Sequence, residues 1–252
     1  MCNVYEPATE DYLQAEWSRF QASGITGAPP SSMAYKLRLG PRDTGPFITS
    51  QGVMLGQWGM IRPNAPTRTE KDPKGRPLMT NNTRSETMAT RATFRDAWKS
   101  GQRCLIPATS WDEPYWGNNA FNTWWRFHRQ DGDAWMLAGL WNTWTDKATG
   151  EVVPSYTMIT MNCDAHPLLK LMHKPEKDKE GTILPPEKQD KRTVVPIDAA
   201  DWSLWLTGNA EDALSLIQLP PMRLFKHSAV DPAKQVDLPI KGSPQKTESK
   251  AH

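Results

Sequence analysis

Arg103-Cys104-Leu105-Ile106-Pro107-Ala108-Thr109-Ser110 begins with an apolar run and predicts a buried strand. Trp111-Asp112-Glu113-Pro114 follows directly, so a carboxylate stands at the end of an apolar strand between Trp111 and Trp116. Partial desolvation there suits Glu113 to general acid or base chemistry. A loop carboxylate in full contact with water fits the same letters about as well.

Outward from this strand, residues 46–50 and 53–61 read as short strands before it. Residues 123–127 and 134–143 flank Asp131-Gly132, a hairpin turn signal, and residues 155–161 form a further strand after Gly150. Helical patterns are predicted over residues 10–21, with Leu13, Trp17 and Phe20 at helical spacing, and over 87–99, 164–172, 202–206 and 211–217. Strands and helices mix without a βαβ rhythm, so the class is α+β. Residues 62–78 form a long loop dense in Pro, Asn, Arg and Lys. Its charges are either solvated or placed to follow a phosphate backbone. Residues 174–191 read as a charged, flexible loop. A single domain is expected over residues 1–232, and the polar stretch 233–252 as a disordered tail.

The 252 residues carry a net charge of +2 with 38% hydrophobic and 23% charged residues, which permits nucleic acid as a partner without arguing for it. No apolar run reaches transmembrane length and no signal segment opens the chain, so no membrane and a cytoplasmic location are expected. Cys2, Cys104 and Cys163 fit no metal-ligand spacing and cannot all pair, which suits a reducing compartment. Cys104 and Cys163 read as buried packing residues. No phosphate-binding glycine loop or metal-ligand cluster is visible, so neither a metal nor an organic cofactor is expected. Twelve tryptophans either pack the core or stack on unpaired bases.

Chemistry concentrates at a few positions. Met1 is normally removed before a residue as small as Cys2, which would leave an amine and a thiol on adjacent carbons. Both groups titrate near ~8, so both are partly nucleophilic at neutral pH. An aldehyde captured by the amine as an imine can then close through the thiol to a thiazolidine. An accidental terminal cysteine is the plainer reading of Cys2 alone. Residues 81–87 are unusually polar. They either cap a helix or give Asn82 an orienting hydrogen bond and Arg84 a phosphate contact. His173 either complements a helix dipole or works as an acid–base group near pH 7. His166, just before Pro167, is its rival. Trp58 beside Gly59 is a core residue or one that leaves room for a ligand. Arg91 and Arg95 share one face of the predicted helix, as a DNA track or a solvated face.

The order of these segments carries more than any one of them. Cys2, Trp58-Gly59-Met60-Ile61, the N-x-R-x-E-T run from Asn82 to Thr87, the R-C-L-I-P-A strand leading to Glu113, and His173 together resemble the SOS-response-associated peptidase (SRAP) family of abasic-site processing proteins. The resemblance implies an SRAP-like single domain with mixed and antiparallel β-sheets forming a barrel-like core and flanking helices. It implies binding of single-stranded DNA containing abasic sites, and a covalent thiazolidine link from Cys2 to the sugar aldehyde that protects the lesion. Peptidase activity on its own N-terminus, a lyase activity, a monomeric state and association with the nucleoid when DNA is bound also follow from it. By position it implies Cys2, Asn82, Glu113 and His173 as catalytic residues and Arg84 as a DNA contact. Trp58, Arg91 and Arg95 would add stacking and phosphate contacts. Arg192 would replace the arginine of the family's H-x-R-M-P run, which is broken here by the charged insertion after His173. The start, Cys2-Asn3-Val4, also departs from the usual Cys-Gly-Arg. Two other readings stay open: a cysteine-type peptidase acting on other proteins, and a single-strand DNA-binding protein with no covalent step.

Overall fold

The computed structural model of the chain describes residues 2–117 and 121–240. Among these residues there are ten strands and five α-helices. The strands are β1 (Val4–Pro7), β2 (Thr44–Thr49), β3 (Gly52–Trp58), β4 (Asn82–Arg84), β5 (Arg103–Tyr115), β6 (Thr123–Arg129), β7 (Trp135–Thr145), β8 (Val152–Asn162), β9 (Arg192–Val194) and β10 (Phe225–Ala229). The helices are α1 (Glu10–Ala15), α2 (Trp17–Ala22), α3 (Arg95–Lys99), α4 (Trp202–Thr207) and α5 (Ala210–Ser215).

The sequence 103–110 is indeed strand, and it continues through Glu113 to Tyr115. Strands β5, β2, β3, β8 and β7 pair in that order, and β7 pairs back to β5, closing a five-stranded barrel. Every pair in the ring is antiparallel except β3–β8. The class is therefore α+β with a mixed barrel, as expected. Beyond the ring, β1 and β6 add to β5, β10 adds to β6, and β4 and β9 add to β8.

Alternation along the strands divides the core in two. Cys104, Ile106, Trp135, Leu137, Phe47, Tyr156 and Met158 belong to an interior cluster with Tyr5 and Trp58. Their sequence neighbours Leu105, Met136, Ala138, Ile48 and Ile159 face the other way and are covered by helices. Each of the five helices contributes to that outer layer, through Leu13, Phe20, Trp98, Trp205 and Ala213 among others. Arg103 fastens α4 to the barrel: its guanidinium donates to the carbonyls of Trp205 and Gly208. Trp205 Nε1 donates to Cys104 O at 2.9 Å. Most of the tryptophans are thus core residues.

The helices are shorter than the patterns suggested. The segment 10–21 breaks at Glu16, whose φ of −86° and ψ of 3° separate α1 from α2. Only Arg95–Lys99 of the segment 87–99 is α-helix. Residues 85–94 form successive turns, in keeping with the weak helix propensity of Thr87, Thr90 and Thr93. In 164–172 only a 3₁₀ turn forms, Leu169–Leu171. Residues 174–191 are not an open loop: they make a closed arm. Lys177 and Ile183 bridge, and Leu184 N donates to Glu176 O at 2.8 Å. Gln189 ties the base of the arm to Glu176 and Leu184. Leu238 and Ile240 still pack against the core, and residues 241–252 of the expected tail lie outside the described residues.

Gly139 shows how tightly the interior is closed. A Cβ there would stand 2.8 Å from Cys104 Sγ, Ile106 Cδ1 and Thr157 O. Gly139→Val should therefore cost about 1–3 kcal/mol through overpacking. The check is a lower urea midpoint at unchanged m-value.

Candidate active site

Several segments meet at the Tyr115 end of β5. Pairing of β1 along β5, with Val4 opposite Asp112, brings Cys2 to the end of the strand that carries Glu113. Both residues are buried, Cys2 completely and Glu113 to 2% exposure. Asn82 Nδ2 donates to Cys2 O at 2.6 Å, and Asn81 Nδ2 donates to the same carbonyl at 3.2 Å. Asn82 Oδ1 is buried and takes no hydrogen bond from the described residues. The Cys2 thiol donates to Val4 O at 3.4 Å. Burial first, and then the negative charge of Glu113, push its pKa well above the ordinary thiol range. At neutral pH Cys2 is a thiol, not a thiolate.

His173 faces Glu113, with Nε2 at 3.3 Å from Oε2. Nε2 is also 3.0 Å from Arg192 O, which can only accept, so the ring proton sits on Nε2. Burial lowers the His173 pKa and the charge of Glu113 opposes that shift. His173 holds a left-handed φ of +63°, which a histidine adopts only when its surroundings hold it there. Its N–H donates to Pro114 O at 2.6 Å, and its carbonyl accepts from the buried Lys191 Nζ at 2.8 Å. His166, the rival, is fully used in structure: Nδ1 accepts from Leu168 N and Leu169 N, and Nε2 lies 3.0 Å from Pro220 O.

The expected DNA contacts divide. Arg84 at the end of β4 is half exposed, with its guanidinium 2.7 Å from Asp190. Arg91 and Arg95 are exposed; α3 begins at Arg95, whose N–H donates to Arg91 O at 2.9 Å, so the two lie one turn apart. Two expectations are corrected. Trp58 is fully buried, donates through Nε1 to Asn81 O at 2.9 Å and meets Tyr5 edge-on at 4.9 Å, so no ring face is open to a base. Arg192 is 5% exposed, and its guanidinium is held by both Glu86 oxygens at 2.8 and 2.7 Å, by Asp190 and by Thr160 O. It positions His173 through its carbonyl and does not reach the surface as a phosphate ligand.

Sequence reasoning missed Asn81 and Lys191. In a strand, neighbours point to opposite faces, so reading β4 as regular strand singles out Asn82 alone. Asn81 lies just before the strand starts and escapes that rule. Lys191 looks like one of many charges in its loop; only the fold shows that its ammonium is buried on two carbonyls. Among the described residues no group of three His, Cys, Asp or Glu side chains is placed to hold a metal ion. No helix among them is long and apolar enough to cross a membrane.

A closed mixed barrel with Cys2 buried at the end of the strand that carries Glu113, and His173 facing that carboxylate, defines a compact class of protein. The profile of the family "SOS response associated peptidase (SRAP)" matches residues 2–234, and the chain belongs to that family. Its family-level role is thus tied to the response to DNA damage. The chain is similar to a protein of known structure from Bordetella bronchiseptica, with 31% identity, a TM-score of 0.72, and coverage of 91% of this chain and 100% of the other. A protein from Bacteroides thetaiotaomicron shares the fold at 16% identity and a TM-score of 0.67, covering 91% and 92%. A phage-related protein from Bordetella bronchiseptica does so at 14% identity and a TM-score of 0.54, covering 91% and 94%. Among curated proteins none matches the chain.

Burial is also the first cause of lowered pKa at His166 and His227. The unfolded chain binds these protons near the ordinary ~6.5, the folded chain only at lower pH. Stability is therefore complete above ~6.5 and lost as pH falls through the lowered folded values. Urea midpoints should be level above about pH 7 and decline toward pH 5. His173→Asn, which keeps a side chain tolerant of positive φ, should make that decline shallower.

Proposed function

We propose that the chain captures abasic sites in single-stranded DNA as a covalent thiazolidine on Cys2. With Met1 removed, the Cys2 amine adds to the open-chain aldehyde of the base-less sugar. Loss of water gives an imine, and the thiol then adds across the C=N bond to close the ring. Glu113 moves protons at the amine and carbinolamine, while His173 serves the sugar ring oxygen as it opens. The buried Asn82 Oδ1 is available to a sugar hydroxyl or to the amine. Arg84 can exchange Asp190 for a phosphate, since the guanidinium fork fits either.

The observation that carries this reading is the Glu113–His173 pair at 3.3 Å, with Cys2, second in the sequence, buried within reach of the Glu113 charge. The raised thiol pKa supports the order of events: the amine attacks first, and the thiol enters only once an imine is beside it. The same property weighs against a general cysteine peptidase, whose nucleophile is a thiolate. A peptidase step confined to removal of Met1, a residue outside the described ones, remains part of the proposal, as does a competing lyase step. Binding without a covalent step is the other alternative.

Purified protein mixed with single-stranded DNA holding one abasic site should give a band that survives a denaturing gel. Cys2→Ala should abolish it. Glu113→Gln and His173→Asn should each slow its formation by about 10²-fold or more. Absence of any band while mass spectrometry shows Met1 removed would overturn the covalent reading and leave simple strand binding.

A further inference from the structure

A cleft of about 500 Å³ opens beside His173, which lines it. Tyr115 and Trp116 at the end of β5 form one wall, and Ile183 and Leu184 of the closed arm form the other. The volume is in the range of small-molecule sites, about 300–1,000 Å³. The arm, residues 174–191, leaves His173 directly and returns to Arg192, so this wall is joined at both ends to residues of the site. We infer that this cleft seats the nucleobase next to the missing base, between Trp116 and the Ile183–Leu184 wall. The inference rests on the proposed single-strand substrate and gives the closed arm its role there.

The chemistry of the lining favours that occupant. A base offers two flat π-faces and an anionic phosphate a few ångströms away. The cleft offers a half-buried aromatic ring and branched aliphatic side chains, with Lys170, Lys191 and one carboxylate, Asp164, in its lining and Lys174 against the Trp116 ring. Lys174 Nζ lies 5.1 Å from the centroid of the Trp116 ring. An entering base would take that ring face and release the ammonium to the phosphate. The walls are firm: the arm is closed by Gln189, and Lys191 ties its start to the site by donating to the carbonyls of His173 and Lys174. Phe121 and Trp124, the only exposed Phe and Trp rings among the described residues, lie on the same β5–β6 hairpin.

The test uses single-stranded DNA with tetrahydrofuran in place of the abasic sugar. This analogue lacks the aldehyde, so binding is read without any reaction at Cys2. The base on each side of the tetrahydrofuran is in turn replaced by a second tetrahydrofuran, and affinity is measured by fluorescence anisotropy. On one side this loss should weaken binding to wild type by about 5-fold or more, the value of one base–aromatic stack. In Trp116→Ala, and separately in Ile183→Asp from the opposite wall, the same loss should have little effect. If the neighbouring base contributes equally in all three proteins, or in none, the cleft is not its seat. The outcome is independent of the covalent reading. A band on aldehyde DNA with no effect here overturns only the base pocket, and the converse overturns only the crosslink.

Discussion

Strand β5 is hydrogen-bonded along both edges, and nearly everything else follows from that constraint. Through residues 103–108 it holds β7 on one edge, with β2 at Leu105 on the other, which closes the barrel. From Ala108 onward β1 takes over the β2 edge, and from Trp111 β6 takes over the β7 edge. One strand therefore ends the barrel and begins the site without a break. Glu113 inherits the rigidity of the core, and the chain start is laid alongside it by β1. A thirteen-residue strand rising about 3.3 Å per residue is long enough to do both.

The site itself is organised largely by backbone carbonyls. Pro114 O, Arg192 O, Cys2 O and His173 O each accept a bond that fixes a side chain or a turn. Two of these carbonyls, Pro114 O and Arg192 O, belong to strands β5 and β9, so the groups that depend on them are positioned by the sheet itself. Charges complete the frame at one remove. Asp190 serves both Arg84 and Arg192, and Arg192 is neutralised by Glu86. The half-exposed Arg84 has the freedom to trade partners; the buried Arg192 does not.

What the sequence discloses follows physical range. Local, repetitive signals read well: the apolar run 104–106, the Asp131-Gly132 turn and the strands on either side of it all appear where the pattern puts them. The α+β class follows from their arrangement. The order of Cys2, Asn82, Glu113 and His173 anticipates which groups come together. Three-residue strands such as β4 and β9 carry too few residues for any periodicity, and they exist because β8 offers edges to pair with. Burial of a charged or aromatic side chain is the least legible property. The letters of Trp58, Arg192 and Lys191 say nothing of the carbonyls and carboxylates waiting for them inside.

The buried thiol of Cys2 has a consequence for how long the protein stays usable. Alkylating agents and peroxides react with thiolates, and both the low thiolate fraction and the absence of exposed sulfur slow such encounters. A cysteine at a chain terminus would ordinarily be among the first groups in a protein to be consumed. Here the fold keeps it protonated and shielded, and under the proposed function only an electrophile seated inside the site would meet it. The residue is held in reserve, and chemical selectivity comes from where the sulfur is kept.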